Sequence, residues 1–128
     1  MLLIGLATYA QKGSAVQLPI KTGDTIVNAG STSKVIKFTG GYNGAVIQVN
    51  ASLVSGTGAG TLTLLGSLDG VNYKTIGSAY TITNTASQSA QFTVTAPLPT
   101  YLKIAGAGSG TEVVALTFWY NDPIYQNQ

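Results

Sequence analysis

The chain has no cysteine, no histidine and no arginine, and its 128 residues include only four acids, Asp24, Asp69, Glu112 and Asp122. Each absence removes a class of chemistry. Without cysteine there is no disulfide framework, thiol nucleophile or thiolate metal site, and the redox compartment is left open. Without histidine the many Ser and Thr hydroxyls have no base to take a proton, and no lysine lies in a motif that signals a depressed pKa. Glycoside hydrolysis needs two carboxyl groups at a set separation. Here Asp69 falls in a turn, Asp24 and Asp122 flank strands and Glu112 starts one, so all four read as solvated or capping groups. The expectation is a protein that is not an enzyme and uses no cofactor and no metal.

Charge is scarce too. The formal charge of +2 rests on six dispersed lysines, Lys12, Lys21, Lys34, Lys37, Lys74 and Lys103. Nucleic-acid binding draws on clustered Lys and Arg, so it is not expected. Only 8% of residues are charged, against about 25% in ordinary soluble domains. Ser, Thr, Asn, Gln and Gly must cover the surface instead, as suits a protein with much of its surface against neighbours. The opening "MLLIGLATYA" is too short to span a bilayer, lacks the basic start of a signal peptide and breaks at Gly5. It reads as a retained strand or docking arm, with no membrane role.

What is present points to strands. The chain carries 16 Gly, 17 Thr, 10 Ser and seven Tyr, with long polar–apolar alternations and no apolar stretch of helical period. In "GAVIQVNASLV", Ile47, Val49, Ala51 and Leu53 share one face while Gln48, Asn50 and Ser52 share the other with Val46. "TLTLLGSL" alternates again, with Leu62, Leu64 and Leu68 expected inward. "AYTIT" and "AQFTVTA" read as a strand pair. Pro97 and Pro99 mark an edge or a crossing between sheets. The last strand, "TEVVALTFWY", has Phe118 on one face and Trp119 on the other, and both faces look covered. The fold class expected is all-β, a single jelly-roll-like β-sandwich of about eight to ten short strands over 1–128. Extended arms are expected at 1–24 and 121–128.

The stretch "GSLDGVNYKTI" holds the densest polar pattern. Asp69 and Gly70 between apolar strands predict a hairpin turn, with the Asp69 carboxylate accepting from amides just after it and Asn72 completing the turn. Asp69, Asn72 and nearby carbonyls are also oxygen donors, but the loop lacks the several carboxylates of a dedicated calcium site. The glycine-rich "SGTGAG" and "AGAGSG" are not followed by Lys-Ser/Thr and a helix, so they read as flexible hairpin tips rather than phosphate loops. Exposed tyrosines, Tyr42 and Tyr73 above all, are candidates for stacking on a sugar ring.

The runs "GSLDGVNY", "YLKI" and "SGT" carry a resemblance. Gly66, Ser67, Asp69, Gly70, Asn72 and Tyr73, then Tyr101, Leu102, Lys103 and Ile104, then Ser109, Gly110 and Thr111 resemble a β-sandwich pattern in small structural proteins of tailed bacteriophages. Lys103 stands where arginine is common. The resemblance covers roughly the second half of the chain. It implies a virion protein on the capsid exterior that decorates the head, with fibre and tail parts as other uses of the module. Its partners would be itself, with a trimer the expected number, and virion proteins such as the major capsid protein. Interface candidates are Met1, Leu2, Leu3, Ile4, Leu6, Tyr9, Trp119, Pro123, Ile124 and Tyr125. The alternatives are a carbohydrate-binding module of a tail or adhesin, using Tyr42 and Tyr73, and a tail or connector subunit.

Overall fold

The computed structural model describes residues 15–18, 24–38, 44–95 and 97–121. They form ten strands: β1 (Ala15–Gln17), β2 (Thr25–Val27), β3 (Ser31–Lys37), β4 (Ala45–Ser55), β5 (Gly60–Ser67), β6 (Lys74–Thr75), β7 (Tyr80–Ile82), β8 (Ser87–Val94), β9 (Tyr101–Gly108) and β10 (Val113–Asn121). All pairs are antiparallel. One sheet has the order β1-β10-β4-β8, with β2 also on β10; the other has β3-β9-β5-β6, with β7 also on β5. The all-β, jelly-roll-like sandwich expected from the alternating pattern is the fold that forms.

Period-two alternation decides which side of each strand faces the other sheet. Ile47, Val49 and Ala51 of β4, Phe92 and Val94 of β8, and Val114, Leu116 and Phe118 of β10 point inward from the first sheet. Ile36, Leu62, Leu64, Ile82, Leu102 and Ile104 meet them from the second. Each of the larger side chains among them contributes about 1.5–3 kcal/mol of transfer free energy, and the two inner faces interdigitate as in other aligned sandwiches. Gly106 lies inward too, where the absent Cβ leaves room for Ile26 Cδ1 at 3.0 Å.

The connections differ from the expected hairpins. The chain passes from one sheet to the other at β2–β3, β3–β4, β4–β5, β7–β8, β8–β9 and β9–β10. "SGTGAG" and "AGSG" are therefore crossings between sheets rather than hairpin tips. The first of them packs as well: Gly58 is buried and its N–H donates to Asn84 Oδ1 at 2.9 Å. "AYTIT" and "AQFTVTA" do not pair with each other, since β7 sits on β5 and β8 on β4. The prolines at 97 and 99 do mark a crossing, from β8 to β9.

Two further expectations fail at the level of side chains. Leu68 is 79% exposed rather than inward, because β5 ends at Ser67 and the alternation stops there. Asp24 and Glu112 are buried at 5% and 0% exposure rather than solvated. Asp24 survives burial by pairing with Lys34, whose Nζ lies 2.5 Å from Asp24 Oδ2. Lys34 occupies an inward position of β3, and its ammonium also sits 5.5 Å from the centre of the Phe118 ring.

Candidate functional site

The outer face of the first sheet is built from the other half of each alternation. On β4 the outward positions include Gln48, Asn50 and Ser52; on β8 Ser89, Gln91 and Thr93; on β10 Thr117 and Trp119. Register sets them in rows: Trp119 opposite Gln48 and Gln48 opposite Gln91, then Thr117 opposite Asn50 and Asn50 opposite Ser89. Directly opposed side chains on one face lie about 5 Å apart at Cβ and interact.

They do so through a hydrogen-bonded chain. Gln91 Nε2 donates to Gln48 Oε1 at 2.9 Å, Gln48 Nε2 donates to Asn50 Oδ1 at 2.9 Å, and Ser89 Oγ donates to the same Asn50 oxygen at 2.7 Å. Each bond holds its donor and acceptor in one orientation, so the amides are set before any ligand arrives. Among the described residues nothing occupies Gln91 Oε1 or Asn50 Nδ2, leaving an acceptor free at one end of the chain and a donor free at Asn50, where the bonds from Gln48 and Ser89 meet. Trp119 is half-buried in its row, between Gln17 of β1 and Gln48 of β4. No Lys, Asp or Glu stands among the described outward residues of this sheet. The arrangement offers an indole beside fixed amides and hydroxyls, with no charged side chain among the described residues of its strands.

The outer face of the second sheet has a different character. Lys103 Nζ lies 4.0 Å from the centre of the Tyr73 ring, and Lys37 Nζ lies 5.6 Å from that of Tyr101. One side of the Tyr73 ring is thus already occupied by a cation. Beside the end of this sheet a cleft of about 420 Å³ is lined by Leu68, Ile76, Leu98, Pro97 and Pro99, with Ser67, Asn72 and Lys74 at its polar edge.

Asp69, Gly70 and Asn72 form the loop between β5 and β6. Asp69 Oδ1 accepts from Val71 N, Asn72 N and Ser67 Oγ, each at 2.8 Å, and Oδ2 accepts from Asn72 Nδ2 at 2.9 Å. Gly70 has φ of 77°, the left-handed region that glycine enters without strain, and stands against the Tyr101 ring. Both carboxylate oxygens are thus turned into the loop's own donors. Those bonds, from Asn72 and Val71 first, hold the Asp69 carboxyl far below the usual aspartate range. A depressed folded value means its contribution is present above the unfolded aspartate pKa and is lost only as pH falls through the folded one. At a pH of about 3.5, where half or more of ordinary aspartates are protonated, Asp69 is expected to remain ionised. Carbon-detected NMR titration of its carboxyl checks this; a midpoint near 4 contradicts the turn as described.

Of the remaining sequence candidates, Met1, Leu2, Leu3, Ile4, Leu6, Tyr9, Tyr42, Pro123, Ile124 and Tyr125 lie outside the described residues. Trp119 is brought together with Gln48, which the sequence marked only as outward, and with Gln91. Tyr73 meets Lys103 and not the Trp119 face. The buried Asp24, Lys34 and Glu112 were missed as a group. For Lys34 a signal exists, because in "KVIKF" the same alternation that buries Ile36 and Phe38 also turns Lys34 inward.

No protein-family pattern matches this sequence, and no curated protein is detectably similar to it. Solved structures are similar in fold. The PBSX exported protein XepA superposes with a TM-score of 0.62 at 12% identity over 91% of this chain. The chain spans only 39% of XepA's length. The CBM22-1 xylan-binding domain from Paenibacillus barcinonensis Xyn10C gives a TM-score of 0.51 at 13% identity, covering 91% of this chain and all of that domain. The non-crystalline cellulose specific carbohydrate-binding module CBM28 gives 0.50 at 10% identity, over 84% of this chain and 70% of the module. At these identities the likeness establishes the β-sandwich fold.

Proposed function

We propose that this chain is a carbohydrate-binding domain that takes a neutral polysaccharide across the outer face of its first sheet and acts by binding, without turnover. The observation that carries this reading is the uncharged row of Trp119, Gln48 and Gln91 beside Asn50 and Ser89. A pyranose has a flat C–H face and a rim of hydroxyls. The indole supplies a surface for the first, and oriented amides supply donors and acceptors for the second. Two of the fold neighbours are a xylan-binding domain and a module specific for non-crystalline cellulose, which is precedent for the fold. The residues of this face are the argument for this chain. Affinity electrophoresis in soluble xylan and hydroxyethyl cellulose tests the reading: wild type is retarded and Trp119→Ala is not. Mobility unchanged by both polysaccharides contradicts it.

A second reading has its own observation. Leu68 and Val71 are 79% and 78% exposed at the tip of the β5–β6 loop, beside the apolar cleft of Ile76, Leu98 and the two prolines. Within the run that resembles phage structural proteins, such a tip suits contact with a second subunit. In this reading the chain is a virion protein on the capsid exterior, in which the glycan face serves adhesion or decoration. Sedimentation velocity is expected to show a homo-oligomer that Leu68→Ser with Val71→Ser dissociates. A monomer at about 100 µM, far above the Kd of a standard interface, rules this second reading out.

A further inference from the structure

β8 (Ser87–Val94) is the free edge of the first sheet, and it pairs with β4 alone. Antiparallel pairs alternate between residues that exchange both backbone bonds and residues whose N–H and C=O point away. Leu53 N–H donates to the Ala86 carbonyl at 2.9 Å, directly opposite in the register that continues along the two strands. The bonded residues of β8 are therefore Gln88, Ala90, Phe92 and Val94. The parity agrees on the other side of β4, where Leu116 N–H turns away from that strand and donates to the Asp24 carbonyl. The N–H and C=O of Ser87, Ser89, Gln91 and Thr93 consequently face outward along the open edge, where no described residue meets them.

This edge lacks the devices that protect the others. β1, β2, β6 and β7 are only two or three residues long, and β3 carries Lys34 at an inward position with Lys37 at its end. Short strands, lysines and inward charges each discourage the addition of another strand. β8 has eight residues, SQSAQFTV, with no charge and no proline, and its register on β4 runs without a bulge. The second sheet does not close over it: a cleft of about 180 Å³ lies between Gln91, Phe92 and Thr93 and the segment of Ile76, Gly77 and Ser78.

We infer that the β8 edge is a dimerisation surface and that its partner is β8 of a second copy, running antiparallel about a two-fold axis at Ala90. In that register Ser87 faces the partner's Thr93 and Ser89 the partner's Gln91, so every open N–H of one edge meets an open C=O of the other. A strand from another protein would need an unpaired edge of its own, whereas the two-fold axis supplies one of the same length. Charge also favours self-association, because no charged side chain stands among the described residues of these strands, and two copies meet without like-charge repulsion. The outer faces of the two first sheets become continuous, with Trp119 five strand spacings, roughly 24 Å, from the partner's Trp119. That joined face matters for a ligand only on the carbohydrate reading; the pairing itself does not rest on it.

Sedimentation velocity of the full chain without sugar, from about 5 to about 500 µM, tests the pairing and reaches the weak end of specific association. A reversible monomer–dimer equilibrium is expected, with the Ser89 and Gln91 amides exchanging at least about 10-fold more slowly in the dimer. Ser89→Pro removes an N–H that β4 does not use, so it is expected to fold and to weaken the dimer at least about 10-fold. Leu68→Ser with Val71→Ser is expected to leave the Ser89 and Gln91 amides protected; loss of that protection assigns the dimer to the loop tip and overturns the inference. Should Ser89→Pro not fold, a mixed dimer of labelled and unlabelled wild-type chains decides. A nuclear Overhauser contact is expected between the Ala90 Hα atoms of the two copies, whose Cα atoms stand about 4.5 Å apart in such a pair. A monomer at about 500 µM overturns the inference, as does a folded Ser89→Pro that dimerises like wild type. So does protection at Ser89 and Gln91 that is independent of concentration, or pairing of β8 with any other segment, residues 1–10 included.

Discussion

Replacing Lys34 by methionine lowers the stability of this domain by about 3–5 kcal/mol, the range for removing one partner of a buried ion pair. The methionine fills nearly the volume of the lysine stem against Phe118, so lost packing is a minor part. The main cost is electrostatic: Asp24, 5% exposed, loses the ammonium 2.5 Å from its carboxylate. The consequence reaches both sheets, because Lys34 belongs to β3 in one, while the Asp24 carbonyl accepts from Leu116 N of β10 in the other at 3.0 Å. Out of a total of about 5–15 kcal/mol for a domain, such a loss leaves little. Urea denaturation measures it. The control is the double variant Asp24→Asn with Lys34→Met, expected to regain most of the loss because no charge remains buried. If the single variant costs under about 1 kcal/mol, as for an exposed pair, the pair is not buried in the way described.

The inward position of Lys34 shows where sequence reading reached and where it stopped. Strand faces were legible because alternation is local: Ile47, Val49 and Ala51 inward and Gln48 and Asn50 outward follow from spacing alone. Lys34 obeyed the same spacing, but a lysine without a visible partner reads as solvated, and its partner lies ten residues away, just before β2 of the opposite sheet. Leu68 failed for the converse reason, since nothing local says that β5 ends one residue earlier. The crossings at 56–59 and 109–112 looked like hairpin tips because glycine-rich turns have the same composition whether the chain returns to its own sheet or changes sheets. The Trp119 face was half legible. Its members could be assigned outward, but that β10 and β8 flank β4, so that Trp119, Gln48 and Gln91 share a row, is a matter of long-range pairing.

Trp119→Ala is expected to weaken binding of a neutral oligosaccharide by about 2–3 kcal/mol, roughly 30- to 150-fold in Kd, as for other aromatic anchors. Stability should change far less. Trp119 lies on the outer face, whereas its neighbour Phe118, 2% exposed, belongs to the core, and its truncation costs about 3–5 kcal/mol. The contrast between adjacent residues separates the two roles: binding lost with fold kept at 119, fold lost at 118. Gln48→Ala removes both an acceptor for Gln91 and a donor to Asn50. Its effect on binding should exceed a single hydrogen bond, because the amides on either side lose their fixed orientation.

The claim at the centre is that an uncharged sheet face, and not the tyrosine–lysine face opposite, meets the ligand. Chemical-shift mapping with xylohexaose and cellohexaose tests it most directly. The account predicts saturable shifts at the Trp119 indole N–H and the Gln48, Asn50 and Gln91 side-chain amides, with Tyr73 and Lys103 unmoved. Shifts confined to Tyr73, Tyr101 and Lys103, or no saturable shift with either oligosaccharide, would contradict it.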